Sequence, residues 1–426
     1  MRGLDVNARA RAYLGMIPLL VGFTVVLMGA GRAGPRSATP PNAVCSDTLR
    51  PTTFPFGPCP SEAENWNVGD GPVPLDTGVV HAKGLVDVRG VGDAGMAMTY
   101  EQPPPLTHRF PDGERASFGR WLDALDTTGT SYRADLAFIN WESVVGPRCA
   151  EFQGEPGPTS YAFVSHPGNV VEAHERGFNL IGLANNHSQD CVQAPGGRSG
   201  TQMSAAQMDS LGRAISANWL WHGVGKADTA RVRTIMIDGR TVRVAFASLY
   251  MAQKRCAYAV CGAARDSVLT SLSEADADLR ILSLHSWNDE TQRQLVETGE
   301  TFLRNYDGDI VFGHGPHVWR DVRIVESEDG DPGVLFESLG NFLHPSLAGQ
   351  PRNLIGRVLL DAETLQVRQV QALSLSTDGL EGWFDGAPSP TEVPANRSWR
   401  LIQDSTWQSG VTPDVRGAYF TVEPGR

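Results

Sequence analysis

The chain has 426 residues, more than the roughly 100 to 200 of one ordinary domain, so it has room for a large domain with extensions or for two domains. With 41% hydrophobic and 20% charged residues it is neither a disordered polymer nor a collagen-like fibre nor a multi-span membrane protein. Its 36 Lys and Arg against 48 Asp and Glu leave a net charge of −12, which disfavours tracking along a phosphate backbone, and no nucleic-acid partner is expected.

Arg2, Arg9 and Arg11 precede an uncharged run from Ala12 to Ala30, and Gly31-Arg32-Ala33 follows with small residues at two positions a signal peptidase reads. The segment 1–33 therefore reads as a signal peptide or an N-terminal membrane anchor, and the protein as extracytoplasmic, either secreted or held by that segment. Residues 34–83 form a Pro-rich linker without helical or strand periodicity. Six cysteines in an exported chain point to disulfides, although six allow fifteen connectivities. By spacing, Cys45 and Cys59 would close one loop and Cys256 and Cys261 another, leaving Cys149 and Cys191.

From residue 84 onward strand-like and helix-like segments alternate. Gly84 to Val91 reads as a strand followed by Gly92-Asp93, and Asp135 to Asn140 as one followed by Glu142. His166-Pro167 opens a helix stopped by Gly177, and Phe178 to Ala184 is a buried strand ending at Asn185-Asn186-His187. A helix is predicted over Ser204 to Ala217, with Met208, Leu211 and Ile215 on one face. Val232 to Ile237 and Val242 to Leu249 flank Asp238-Gly239, a hairpin signal that implies a mixed sheet. Leu279 to Leu284 is a strand ending at His285, Glu290 to Tyr306 a helix, and Ile310 to Phe312 a strand ending at Gly313-His314. Val318 to Val325, Val334 to Ser338, Leu354 to Leu360 and Gln366 to Leu373 complete an antiparallel-looking set, and residues 376–426 form a C-terminal extension.

Helices between buried strands imply an α/β protein, whose ligands gather beyond the carboxyl ends of strands. Asp93, Glu142, Asn186, His285 and His314 all stand at such ends, and His317 lies three residues beyond His314 on a turn tightened by Gly315 and Pro316. One polar residue at a strand end is ordinarily a loop cap; five in series shift the balance towards a shared site, and the His pair, which by itself is more often structural than metal-binding, has a spacing that can aim both rings at one point.

The series Gly92-Asp93, Asn140-Trp141-Glu142, Asn185-Asn186-His187-Ser188-Gln189-Asp190, His285, Gly313-His314-Gly315-Pro316-His317 and Ser338-Leu339-Gly340-Asn341-Phe342 resembles the capsule synthesis protein CapA family, associated with poly-γ-glutamate capsules, over residues 84–375. That family is similar to calcineurin-like metallophosphoesterases, which implies a four-layer α/β/β/α sandwich of mixed sheets with two divalent transition-metal ions, Mn, Fe or Zn. The resemblance implies Asp93, Glu142, Asn186, His285, His314 and His317 as metal ligands and His187 as the catalytic acid. Asp190 reads as a loop or helix cap and Asn341 as a turn residue beside the site, while His344 has no counterpart. Three departures stand out. His285-Ser286-Trp287-Asn288-Asp289-Glu290 is one residue longer than the family's pattern, leaving Glu290 unplaced. The Arg usual after Gly-Asp is missing, and Gly95 stands where phosphoesterases place a His. Cys149 and Cys191, seven residues past Glu142 and four past His187, fall on loops expected to meet at the site mouth, bridged.

The function implied is an exported, metal-dependent hydrolase acting on a cell-envelope polymer such as poly-γ-glutamate, cleaving a phosphoester or a γ-glutamyl amide. The rival is a non-catalytic capsule assembly or export factor that binds the polymer or a membrane synthase.

Overall fold

The computed structural model describes residues 84–94, 118–119, 122, 132–147, 149–153, 162–194, 196–225, 228–237, 239–252, 256, 259–342, 353–375 and 400–401. The apolar N-terminal run, the Pro-rich stretch with Cys45 and Cys59, Gly95, His344 and nearly all of the C-terminal extension lie outside them.

In chain order the strands and helices are β1 (Leu85–Asp93), β2 (Leu136–Asn140), β3 (Val144–Val145), β4 (Glu151–Phe152), β5 (Val164–Ser165), α1 (Pro167–Glu175), β6 (Leu180–Gly182), β7 (Cys191–Gln193), α2 (Gly200–Ala214) and β8 (Leu220–His222). There follow β9 (Arg231–Ile237), β10 (Arg240–Tyr250), α3 (Arg265–Ser273), β11 (Leu279–His285), α4 (Asp289–Asn305), β12 (Ile310–His314), β13 (Val322–Glu326), β14 (Pro332–Phe336), β15 (Asn353–Asp361), β16 (Val367–Leu375) and β17 (Arg400–Leu401). One sheet runs β17-β16-β15-β1-β2-β6-β8 and the other β13-β14-β12-β11-β10-β9.

Period-two alternation builds four layers. On β2, Leu136 and Phe138 face the second sheet, where Phe138 stacks on Phe312 at 4.8 Å, while Ala137 and Ile139 face the α1 and α2 side with Val170, Ala173 and Met208. The second sheet repeats the scheme: Val244, Phe246, Ile281 and Phe312 point inward, and Ala245, Leu282 and Val311 meet Leu272, Leu295 and Phe302 of α3 and α4. The result is the α/β/β/α sandwich expected from the motifs. The predicted hairpin at Gly239 forms, with φ +79° at the glycine, and β10 then pairs parallel with β11, so the sheet is mixed.

Several elements differ from the sequence reading. Helix α2 starts earlier than Ser204 because Ser199 caps it and Gln202 closes a capping box, and it ends at Ala214. Ile215 thus falls past the last turn and is 40% exposed instead of sharing the buried face of Met208. Strand β14 is not purely antiparallel: it pairs antiparallel with β13 but parallel with β12, because the chain between Val318 and Asp321 is spent on a crossing and not on a strand. The two-residue strands β3, β4, β5 and the three-residue β7 and β8 carry too few residues for a periodic signal, and Arg400–Leu401 adds an edge strand from within the C-terminal extension.

On the outer face of β1, Arg89 and Arg357 both clasp the buried carboxylate of Asp87, each with an Nη2 donor 2.7 Å from Oδ2. Burial alone would raise the Asp87 pKa, but the two guanidiniums outweigh it and hold the group at about 2. The native state therefore binds this proton less readily than the unfolded chain. The stability this supplies is present above the unfolded value of 3.8 and is lost as the pH falls through about 2. Unfolding free energies from urea titrations between pH 5 and pH 2.5 are expected to fall by roughly 1.5 kcal/mol on this account, a limb absent in Asp87→Asn; an unchanged limb in that variant would refute the assignment.

Candidate metal centre

Parallel strands of the two sheets end at one edge, and their last residues converge there. On β1 the alternation that places Val91 among the outer residues would also place Asp93 outside. A register shift between Val91 and Asp93 pairs Asp93 with Asn140 and turns its carboxylate inward. Gly92 permits this path, since a Cβ there would collide with the Gly340 carbonyl oxygen. Across the second sheet, Tyr250, His285 and His314 stand in register on β10, β11 and β12 and continue the inward-facing row of Phe246, Ile281 and Ile310.

Two sets of three side chains bring one ligand atom each within 4.8 Å of one another: Asp93, His285 and His314, and Asp93, Glu142 and His317. Asp93 belongs to both. Its Oδ1 lies 3.4 Å from His314 Nδ1 and 3.7 Å from His285 Nδ1, and its Oδ2 lies 3.2 Å from His317 Nδ1. His285 reaches the other carboxylate as well, with Nε2 3.7 Å from Glu142 Oε1. Asp93, Glu142, His285 and His314 are fully buried.

The donors fit a divalent cation. His285 and His314 approach to 2.7 Å through their Nδ1 atoms, while His314 Nε2 is engaged by the Ser283 hydroxyl at 2.8 Å, which aims Nδ1 at the site. Among the described residues, His285 Nε2 and Asn186 Oδ1 are buried without hydrogen-bond partners, a state that costs free energy unless something binds there. Buried carboxylate oxygens and imidazoles together suit a transition metal better than Ca²⁺. Asn186 stands at the start of the 3-10 turn Asn186–Gln189, outside the two sets.

The electrostatics follow from burial and mutual approach. Burial opposes ionisation of Asp93, but His317, His285 and His314 overcome it and hold the carboxyl well below the usual carboxylate range. Burial works against the His317 imidazolium too, yet Glu142 and Asp93 push its pKa up to about 9. His314 is driven down to about 3 by burial and by the neighbouring His285, so it is a neutral imidazole, the form that ligates metals.

His187 sits beside this group with Nε2 4.0 Å from Glu142 Oε1, its ring 4.4 Å from that of Phe163. Its Nδ1 is held 2.6 Å from Asp190 Oδ2. Against the cost of burial, Asp190 raises the His187 pKa. Asp190 lies outside the two ligand sets, and the same oxygen accepts the Phe163 N–H at 2.6 Å, so it ties the loop while orienting His187. Asn341 Oδ1 meets His317 Nδ1 at 2.8 Å, and its backbone N–H donates to Asn353 Oδ1 at 2.7 Å. Glu290 is exposed in the first turn of α4, which Asn288 caps, and does not reach the centre.

Three contributors were not singled out from sequence. Asn140 Nδ2 donates to Asp93 Oδ1 at 2.7 Å, and its own Oδ1 accepts from Asn185 Nδ2 at 3.3 Å, so an amide pair steadies the shared carboxylate. The Gly315 N–H donates to Asp93 Oδ2 at 3.1 Å from a backbone with φ +114°, open to glycine alone because a Cβ would also strike the Ser286 carbonyl oxygen. Ser283 is the third. Asn140 and Gly315 lay within the sequence motifs without a role at the centre assigned to them, and for Ser283 the advance signal was position, an inward-facing site on a strand of mostly apolar residues.

The family model of the bacterial capsule synthesis protein PGA_cap matches residues 118–346, more than half of the chain. The chain belongs to that family. Within the PGA_cap match lie Glu142, Asn186, His187, His285, His314 and His317; Asp93 comes from the strand just before it. No curated protein matches the chain. Among solved structures it is similar to a phosphatase from Mycoplasma pneumoniae, at 12% identity and a TM-score of 0.39, with 68% of this chain and 92% of that chain covered. It is also similar to a hypothetical protein from Thermus thermophilus, at 14% identity, a TM-score of 0.34 and coverage of 74% and 98%. A third likeness is to a purple acid phosphatase from yellow lupin seeds, at 10% identity, a TM-score of 0.31 and coverage of 73% and 55%.

Cys149 and Cys191 are bridged, as are Cys256 and Cys261, which points to an oxidising compartment. Among the described residues no helix is long and apolar enough to cross a membrane. The first bridge spans 42 residues and joins the β4–β7 pair immediately after Asp190, whose carbonyl accepts the Gln153 N–H at 2.7 Å. Exchanging both cysteines for serine is expected to lower the unfolding free energy by about 4 kcal/mol, the chain-entropy value for a loop of this size. Guanidinium titration of the oxidised protein and the variant checks this, and equal midpoints would contradict it.

Proposed function

We propose that this member of the capsule synthesis family is a divalent-metal-dependent hydrolase of the cell envelope, whose substrate is an anionic polymer such as poly-γ-glutamate or another capsular chain. The observation that carries the reading is a single buried carboxylate, Asp93, shared by two ligand sets, with an Asp-paired histidine alongside. In the assignment Asp93, Glu142 and His317 hold one ion, and Asp93, His285 and His314 the other with the help of Asn186. Ions of the Mn, Fe or Zn class supply Lewis-acid stabilisation of developing charge and acidify a water.

The chain's own groups do the rest. Asp190 fixes His187 by Nδ1 and raises its basicity, leaving Nε2 to carry a proton to the departing oxygen or nitrogen at the mouth of the centre. Asn140 and the Gly315 N–H keep the Asp93 carboxylate from rotating, so that both of its oxygens are presented at once. Burial of the histidines keeps bulk water from competing for the ligand atoms. The oxidising compartment implied by two disulfides agrees with work outside the cytoplasm, where an envelope polymer or a membrane synthase would be the partner.

The test is metal analysis of the purified chain together with assays on bis-(p-nitrophenyl) phosphate and on poly-γ-glutamate under added Mn²⁺, Fe²⁺ and Zn²⁺. About two ions per chain and metal-dependent cleavage of either substrate are expected. Polymer binding with no turnover under every metal would instead make the protein a non-catalytic assembly or export factor.

A further inference from the structure

Tyr250 ends β10 and stands in register with His285, which in turn stands in register with His314, so the three side chains form one row across adjacent strands on the inward face. The tyrosine and His285 rings meet edge to face with centroids 5.6 Å apart. The residue is 4% exposed, yet among the described residues its hydroxyl makes no hydrogen bond. The hydroxyl oxygen is not among the fully buried unpartnered atoms, so it keeps a way to the open side of the centre and can donate to a group bound there.

The position is also fixed from outside. The Tyr250 N–H donates to the Val260 carbonyl at 3.0 Å, Met251 N–H to the His285 carbonyl at 2.8 Å, and Cys261, bridged to Cys256, packs against the tyrosine together with Ala184. The bridged pair Cys256 and Cys261 thus packs in one apolar cluster with the tyrosine ring and limits its freedom.

We propose that Tyr250 is a further residue of the site, donating its phenolic hydrogen to an anionic oxygen of the bound reacting group, a phosphoryl oxygen or the oxyanion of an attacked amide, on the Glu142 and His285 side of the centre. The effect on rate rests on the hydrolase reading above; the effect on anion binding is measured apart from turnover. Tyr250→Phe removes the hydroxyl and keeps the ring on His285. Inorganic phosphate is the probe, titrated calorimetrically into metal-loaded wild type and variant, with metal content and thermal midpoint recorded for each.

The expected result is unchanged metal content and midpoint, phosphate affinity about ten- to a hundredfold weaker, as for loss of a hydrogen bond to a charged group, and a similar loss in kcat. Equal phosphate affinity and kcat in the two proteins would overturn the role of Tyr250 and leave the hydrolase reading standing. Loss of metal from the variant would also overturn it, since the hydroxyl would then serve the ions and not the substrate. A wild type that takes up neither metal nor phosphate would overturn both.

Discussion

Asp93→Asn is expected to empty the metal centre while leaving the fold intact. The substitution keeps the size of a side chain that is fully buried, so packing is preserved, but it removes the one negative charge common to both ligand sets. An amide offers a single oxygen where the carboxylate offers Oδ1 to His285 and His314 and Oδ2 to His317. Metal content should fall from about two ions per chain to fewer than one, and hydrolysis by about 10³-fold or more, since ion stabilisation of transition-state charge is worth several kcal/mol. Elemental analysis, far-UV circular dichroism and phosphodiester assays on the same preparation separate the outcomes. A variant that retains two ions would show that Asp93 does not bridge them. Glu290→Ala, at an exposed position on α4, is the matched control and should change neither quantity.

His187→Ala should act on chemistry without touching metal content. If His187 passes a proton to the leaving group, its removal lowers kcat by about 10²- to 10⁴-fold for substrates whose leaving group needs protonation. It costs far less for p-nitrophenyl esters, whose leaving anion is already stable. Asp190→Asn should show the same leaving-group pattern in weaker form, because it loosens the 2.6 Å contact that fixes the ring and holds its pKa up. Equal losses for good and poor leaving groups would remove His187 from the role of acid.

Much of the fold could be read from local pattern. The short apolar run within Asp135 to Asn140, the Pro and Gly that bracket α1, and Gly239 in the hairpin each follow from local sequence, and each element forms where expected. The short strands β3, β4, β5, β7 and β8 escaped, because their strand character comes from the neighbour they pair with and not from their own sequence. The position of Ile215 was misjudged for a related reason: hydrophobic periodicity does not report where a cap ends a helix.

The centre divides the same way. Position at the ends of successive buried strands singled out Asp93, Glu142, Asn186, His285 and His314, the turn after His314 added His317, and the capsule-family motifs added His187. The chain could not tell that the β1 bulge turns Asp93 inward, that Asn140 and Ser283 steady it and His314, that Asp190 grips His187, or that Tyr250 completes the row beside His285. Those facts depend on the register between strands up to 222 residues apart in sequence, as in the bond from Gly315 to Asp93. Register is set only when both sheets bury their apolar faces against each other, so an ångström-scale placement at the shared edge belongs to the packed tertiary structure and to no segment by itself.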